Sequence, residues 1–389
     1  MAENRTLTTH VGSLARLPDV ARLIGDREAG RPYDEAVLAK TVRGAVETVV
    51  RRQVELGIDI VSDGEQGKSS FNNYINERLT GFERRPGAPS GSGSNWAGTR
   101  ERLAFPEFYD WYGRQVAQPL SAPGVMVCTG PVTYKGRSAL QADIDNLKAA
   151  LTAAGATRAF MPAVAPTMVA STRPNEYYKT DDEYLQALAD AVREEYQAIL
   201  DAGLDLQIDD PRLSSQYTMA PEMSLDQCRA WAARQVEVIN HSLRGLPEER
   251  LRFHTCYSID IGPRLHELAL EDIADVMLGI NVGAYSFEAA NPRHEHEYHV
   301  WERLKLPAGK ALIPGVISHT THLVEHPALI AERLVRFARI VGRENVIAGA
   351  DCGFAATART EPEIHPTVAW EKLRALVQGA RLASAELWG

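Results

Sequence analysis

Apolar and polar positions along the chain follow two rhythms that alternate from end to end. Short runs rich in apolar and β-branched residues read as strands. They are "TTHVGS" (8–13), "IDIVSDGE" (58–65), "GVMVCTGPVT" (124–133), "RAFMPAVAP" (158–166), "LDLQIDD" (204–210), "LRFHTCYS" (251–258), "GAYSFEA" (283–289), "ALIPGVISH" (311–319) and "NVIAGADCGF" (345–354). Between them apolar residues recur three and four apart, as on a helix with one buried face. "DDEYLQALADAVREEYQAILDAG" (181–203) ends on a glycine stop, and "SLDQCRAWAARQVEVINHSLRG" (224–245) opens with a serine placed to cap it. Strands that alternate with helices predict a parallel sheet. Nine candidate strands are one too many for an α/β (β/α)8 TIM barrel, and we take "RAFMPAVAP" as the insertion.

The stretch "ERRPGAPSGSGSNWAGTRER" (83–102) is rich in Gly, Ser and Pro and reads as a flexible excursion. Because the α/β rhythm resumes after it, residues 1–389 are expected to form one barrel domain with an insertion. Chemically capable residues collect at the C-terminal ends of the candidate strands: Ser13, Asp63, Glu65, Thr133, Asp209, Asp210, His254, Cys256, Glu288 and Cys352. In a (β/α)8 barrel those ends form the active-site face. A doubly wound sheet would not gather all of them around one pocket, and "HVGSLARLP" lacks the Gly-rich dinucleotide fingerprint.

Composition narrows the partners. Of 389 residues, 44% are hydrophobic and 24% charged, which suits a globular protein, and the net charge of −9 offers no basic surface to nucleic acid or an anionic membrane. No apolar run approaches the length of a membrane helix, and the N-terminal segment lacks a signal-peptide core. Four cysteines in so long a chain do not make a disulfide scaffold, so a reduced, cytoplasmic setting is expected. There a cysteine with a function is a ligand or a nucleophile.

His254 and Cys256 share a face if "LRFHTCYS" is a strand, since alternate side chains point the same way. Two ligands do not complete a metal site. The next strand ends in "YSFEAANP", with Glu288, and the last in "GADCGFA", with Cys352. One nitrogen, two sulfurs and one oxygen make a set that Zn²⁺ accepts. Each residue alone has a plainer reading: a buried small cysteine, a hydrogen-bonded histidine, a solvated glutamate. Their joint placement on neighbouring strand ends favours a metal. The histidines of "NPRHEHEYHVWERL" (His294, His296 and His299) do not align on one helical face and read as a solvated face.

Together these motifs resemble the zinc-dependent catalytic barrel of cobalamin-independent methionine synthase and its single-barrel relatives. "HVGS", "VSDGEQGKSSFNNYINERLTGF", "CTGPVT", "LQIDDP", "HTC", "SFEAANP" and "ADCGF" match its segments in order along most of the chain. The resemblance implies zinc ligands at His254, Cys256, Glu288 and Cys352. It implies amino-acid substrate contacts at Gly12, Ser13, Glu65 and Asp209, with Glu65 and Asp209 holding an ammonium and Gly12–Ser13 a carboxylate. A histidine follows the eighth strand in the family; "VISHTTHLVEHP" offers His319 and His322 at a different spacing, and His319 is favoured as the proton donor.

Charge counting links such a site to thiols. Two thiolates and a carboxylate outweigh the charge of Zn²⁺, so the metal is a poor acid toward water but soft enough to hold sulfur. A free thiol with pKa near 8.5 is only slightly ionised at pH 7, so zinc would supply a thiolate for attack on saturated carbon. The expected activity is transfer of an alkyl group, foremost methyl, to a thiol such as homocysteine. The donor stays open between methyl-folate, a methylated corrinoid protein and an epoxide, the last giving an epoxide-opening transferase of coenzyme M type. The tryptophan-bearing segment of the folate enzymes has no counterpart after "TGPVT". A zinc hydrolase or decarboxylase and a metal-stabilised binding protein are the rivals. Homodimerisation is compatible with such barrels, though no residue establishes it.

Overall fold

The computed structural model describes residues 4–86, 98–116, 124–258, 262–358 and 362–389. Its strands are β1 (Leu7–Thr8), β2 (Phe82–Arg85), β3 (Val125–Cys128), β4 (Phe160–Val164), β5 (Asp205–Asp209), β6 (Leu251–His254), β7 (Ala284–Phe287), β8 (Ala311–Ile317) and β9 (Ile347–Ala350). Seven of them form one parallel sheet in the order β1-β9-β8-β7-β6-β5-β4. Every residue of β4 and β6 is buried. Strands covered on both faces read as continuous apolar runs, which is how the sequence announces them.

Helices follow the strands and bury one face each, among them Glu35–Leu56, Asp181–Asp201, Leu225–Leu243, Pro327–Val341 and Pro366–Trp388. The serine expected to open the fifth-strand helix does so: Ser224 and Gln227 form a reciprocal capping box. Gly203, at φ +88°, follows the end of the 181–201 helix as the glycine stop predicts.

The sheet curls strongly. Arg252 on β6 crosses its concave side to donate to Thr9 Oγ1 at 2.9 Å and His10 O at 2.6 Å, just past β1. Its guanidinium also lies 3.8 Å from the ring centre of Phe160 on β4. Both edge strands bond to a single segment, residues 59–62. Asp59 N and Ile60 N donate to Thr8 O at 3.2 and 3.1 Å; Val61 N donates to Arg158 O at 3.2 Å, and Phe160 N to Val61 O at 2.9 Å. Val61 pairs in parallel with Ala159.

Two expectations are corrected. "RAFMPAVAP" is not the insertion: β4 pairs with β5 in the main sheet, from Phe160 opposite Asp205 to Val164 opposite Asp209. The extra strand is β3, within "GVMVCTGPVT", which pairs antiparallel with β2 away from that sheet. It looks like a core strand in sequence, yet only Val127 and Cys128 of its residues are buried. Thr133, read as a strand-end group, is accordingly exposed on this excursion. Of the Gly/Ser-rich stretch, residues 87–97 lie outside the described residues, and its flanks form β2 and the helix Arg100–Ala104.

Candidate metal and substrate site

Because the main strands run parallel, their C-terminal ends open on one side. His254 ends β6, Cys256 lies two residues past it, Glu288 one past β7, and Cys352 two past β9. One donor atom each from His254, Cys256 and Cys352 lies within 4.8 Å of the other two. Both cysteines are free, with sulfurs 3.2 Å apart. His254 Nδ1 shares a 3.0 Å hydrogen bond with Ser286 Oγ, which fixes the ring. That Nε2 is buried and without a partner among the described residues.

The electrostatics suit a cation there. Burial, aided by Arg252, pushes the His254 pKa down to about 3, so the ring is neutral and carries a free lone pair. The hydrogen bond with Cys352, together with burial, pushes the Cys256 thiol well above its ordinary value. A metal ion reverses that preference, because it binds the thiolate. An oriented neutral imidazole and two thiols form a donor set that fits zinc.

Glu288 stands beside this trio, grouped with His319 and Asp351, whose donor atoms lie within 4.8 Å of one another. Arg264 Nη2 donates to both Glu288 oxygens, at 3.0 Å to Oε1 and 2.9 Å to Oε2. Tyr257 N adds a bond to Oε1 at 2.9 Å, and Asn291 Nδ2 one to Oε2 at 3.1 Å. Burial alone would raise this carboxyl, but Arg264, then His319 and His294, outweigh it and hold it down to about 2. Asp351 Oδ1 accepts from Ala289 N and Ala290 N at 2.8 Å each, and its Oδ2 is buried without a partner among the described residues. Burial and the nearby Glu288 push Asp351 up to about 7. His319 donates from Nε2 to Ser258 O at 2.8 Å, leaving Nδ1 buried and without a partner among the described residues; burial lowers its pKa.

The four positions expected to contact an amino-acid substrate lie on the same mouth. Asp209 is in register with His254 across β5 and β6. Burial, then the charge of Glu65, pushes the Asp209 carboxyl well above the usual range, and Gln207 Nε2 donates to it at 2.7 Å. Glu65, itself at φ +54°, sits 3.3 Å from Arg16 Nη2, and Arg16 Nη1 donates to Ser13 Oγ at 2.8 Å. Phe354 N donates to Ser13 O at 2.9 Å, tying Ser13 to the segment that carries Cys352. Gly12 adopts φ +128°, where a Cβ would stand 3.1 Å from Pro162 Cγ, so the close approach to β4 requires glycine. Arg16 thus links Ser13 with Glu65, and the charge of Glu65 reaches Asp209 beside His254.

Some residues were not legible in the sequence. Arg264, Asn291 and Arg16 lie on loops, where charged and polar residues ordinarily face water. Asp351 immediately precedes Cys352 in "ADCGF", and that adjacency was the available signal. His322 is exposed and accepts from His365 N at 3.3 Å. The solvated-face reading of "NPRHEHEYH" is corrected for His294, which is buried between Glu267 and Glu297; His296 and His299 are exposed.

These features define a parallel α/β protein with a candidate metal site at the C-terminal ends of its strands. The chain belongs to the cobalamin-independent synthase, catalytic domain, family, whose sequence model matches residues 6–164 and 161–380. It is similar to the methionine synthase of Saccharolobus islandicus, at 24% identity over 384 residues covering 98% of this chain and 95% of that one. The methionine synthase of Thermococcus kodakarensis is 24% identical over 386 residues, covering 98% and 94%. In fold the chain resembles a B12-independent methionine synthase from Shewanella sp. W3-18-1 solved with selenomethionine, with TM-score 0.73, 21% identity and coverage of 98% and 99%.

Proposed function

We propose that this chain is a zinc-dependent enzyme that transfers an alkyl group, foremost methyl, to the thiol of an amino acid such as homocysteine. The observation that carries this reading is the convergence of buried His254, whose Nε2 has no partner among the described residues, with two free cysteine sulfurs on the mouth that also holds Glu65 and Asp209. The proposed fold is a (β/α)8 barrel with residues 59–62 as its second strand, supported by their bonds to both edges of the sheet.

His254, Cys256 and Cys352 would hold the zinc, with Glu288 adjacent. Zinc on such ligands supplies a soft Lewis acid that keeps a substrate thiol ionised at neutral pH. The chain itself provides orientation. An ammonium entering between Glu65 and Asp209 would offset the burial and the Glu65 charge that raise the Asp209 carboxyl, and so would draw it back to its ionised form. Ser13 Oγ and the Gly12–Ser13 backbone would receive the carboxylate, and Arg16, bonded to Ser13 Oγ, adds a buried cation there. His319, neutral and with Nδ1 unpartnered, is positioned to hold or pass a proton at that atom. Burial of the mouth limits access of water that would compete for the alkyl group.

The test is a panel of thiols crossed with methyl-folate, methylcobalamin and small epoxides, read by mass spectrometry, alongside the zinc content of the purified chain. S-alkyl product from homocysteine, and loss of both zinc and product in Cys352→Ser, are expected. Zinc retained by Cys352→Ser, or ester or amide turnover without any thiol, would sink this reading.

A further inference from the structure

The loop from β8 to the helix Pro327–Val341 carries His319 near its start, yet apolar packing does little to hold it. None of residues 320–324 is buried, and Leu323 and Val324 stand exposed. The place of this loop in the fold therefore depends on polar contacts. The last helix, Pro366–Trp388, supplies them at two points, and that helix itself packs on β1, β8 and β9.

At the start of the helix, His365 N donates to His322 Nε2 at 3.3 Å. Farther along, Lys372 is one of its buried residues, with Ala369, Leu373 and Leu376. The Lys372 ammonium donates to Glu325 Oε1 at 3.1 Å, to Oε2 at 2.9 Å, and to Leu323 O. Those bonds use the three donors an ammonium has. Glu325 Oε1 also accepts from Ser318 N at 2.8 Å. Ser318 immediately precedes His319, so a chain of bonds runs from the helix through Lys372, Glu325 and the Ser318 amide to the histidine. His319 adds its own bond to Ser258 O.

The side chain of Lys372 is fully buried and that of Glu325 nearly so. Removing one partner leaves an uncompensated buried charge, whereas replacing both with apolar groups of similar volume often costs nothing. Packing alone would thus be served as well by apolar residues at 325 and 372. What they could not supply is an oriented carboxylate for Ser318 N.

We propose that Lys372 is a positioning residue for His319: through Glu325 it fixes the loop after β8, and with it the histidine beside Glu288 and Asp351. The consequence for turnover rests on the reading of His319 above, but the placement of the loop is tested without it.

The test labels the imidazoles of the full chain with diethyl pyrocarbonate, read site by site by tandem mass spectrometry. His322, exposed in the same loop, is the internal standard. The proteins are wild type, Lys372→Arg, Lys372→Met, and Lys372→Met combined with Glu325→Leu. In wild type, His319 should label at least about tenfold more slowly than His322, since it reacts only through local opening. Lys372→Met should bring the two rates within about threefold. The double variant removes both charges, so its thermal stability should return toward wild type. Its Ser318 amide still lacks an acceptor, so His319 should stay reactive. Lys372→Arg, which keeps the charge with a different donor geometry, should restore protection in part. With homocysteine and an active donor, the double variant should lose about tenfold or more in kcat while KM for homocysteine moves less than about twofold. If Lys372→Met does not fold, the double variant carries the test. His319 as protected in the double variant as in wild type would make Lys372 an ordinary packing residue and overturn the inference, leaving the proposed activity standing. Absence of S-alkyl product with every donor would overturn the proposed activity instead, and the labelling would still decide whether Lys372 places His319.

Discussion

His294 lies between two carboxylates, with Nε2 2.9 Å from Glu267 and Nδ1 2.8 Å from Glu297, and its ring stacks on Tyr257 at 4.0 Å between centres. Burial alone would lower its pKa, but hydrogen bonds to Glu267 and Glu297 outweigh burial and raise it to about 9. The ordinary value is 6.5, so the folded state binds the proton more tightly than the unfolded one. Stability from this group is therefore complete below about pH 6.5 and lost as the pH rises through about 9. The buried acids Asp63 and Asp210, pushed by burial up to about 6, have largely ionised by pH 7, and Asp351, at about 7, finishes ionising within the window in both proteins alike and so cancels from their difference. Denaturant titrations at pH 7 and pH 9.5 should show wild type losing on the order of 2–3 kcal/mol more than His294→Gln. Parallel losses in the two proteins would refute a charged His294. The same residue marks what sequence reading reaches at this scale. Histidine and cysteine at strand ends stand out because apolar runs seldom carry them, whereas a histidine among glutamates looks solvated until the fold buries it.

At the scale of elements, the small helix Arg100–Ala104 has an effect far beyond its size. Glu101 is buried and accepts from two consecutive backbone amides of the loop after β6. Glu101→Ala would leave those donors without partners, at a cost of about 1–3 kcal/mol. Hydrogen exchange at Leu265 and His266 should accelerate in that variant, while amides within β6 keep their protection. Unchanged exchange at both positions would show that the loop holds itself. The excursion carrying this helix is also where sequence reading of the elements failed. An apolar run gives strand character but not a sheet partner, so β3 and β4 looked alike. Pro162 lies within β4 and lacks an amide donor. Phe160 N, two positions earlier, bonds Val61 in the 59–62 segment. By strand alternation the missing amide faces that same side, beyond the part of the segment that pairs. A proline is tolerated in a buried strand where its neighbour has already turned away. That information is tertiary, and no pattern along the chain contains it.

For the molecule as a whole, the telling contact is between the two edges of the curled sheet. An open parallel sheet would leave β1 and β4 with unpaired backbone groups, a liability for pairing with other chains. Segment 59–62 meets both edges, and its hydrogen bonds, although fewer than those between the longer strands, have only modest lengths to span. No described helix is long and apolar enough to cross a membrane. The seam also governs the site: Glu65 lies a few residues beyond Val61 and Ser13 a few beyond β1, so the groups proposed to orient the substrate hang from it. If the seam is closed in solution, the amides of Ile60, Val61 and Phe160 should exchange only on global unfolding, at rates matching Leu206 and Phe253 in the interior strands. Exchange through a local opening, faster by orders of magnitude and unaffected by mild denaturant, would mean that segment 59–62 frays from the sheet. Glu65 and Ser13 would then be mobile in the free protein, and substrate affinity would include the free energy of ordering them.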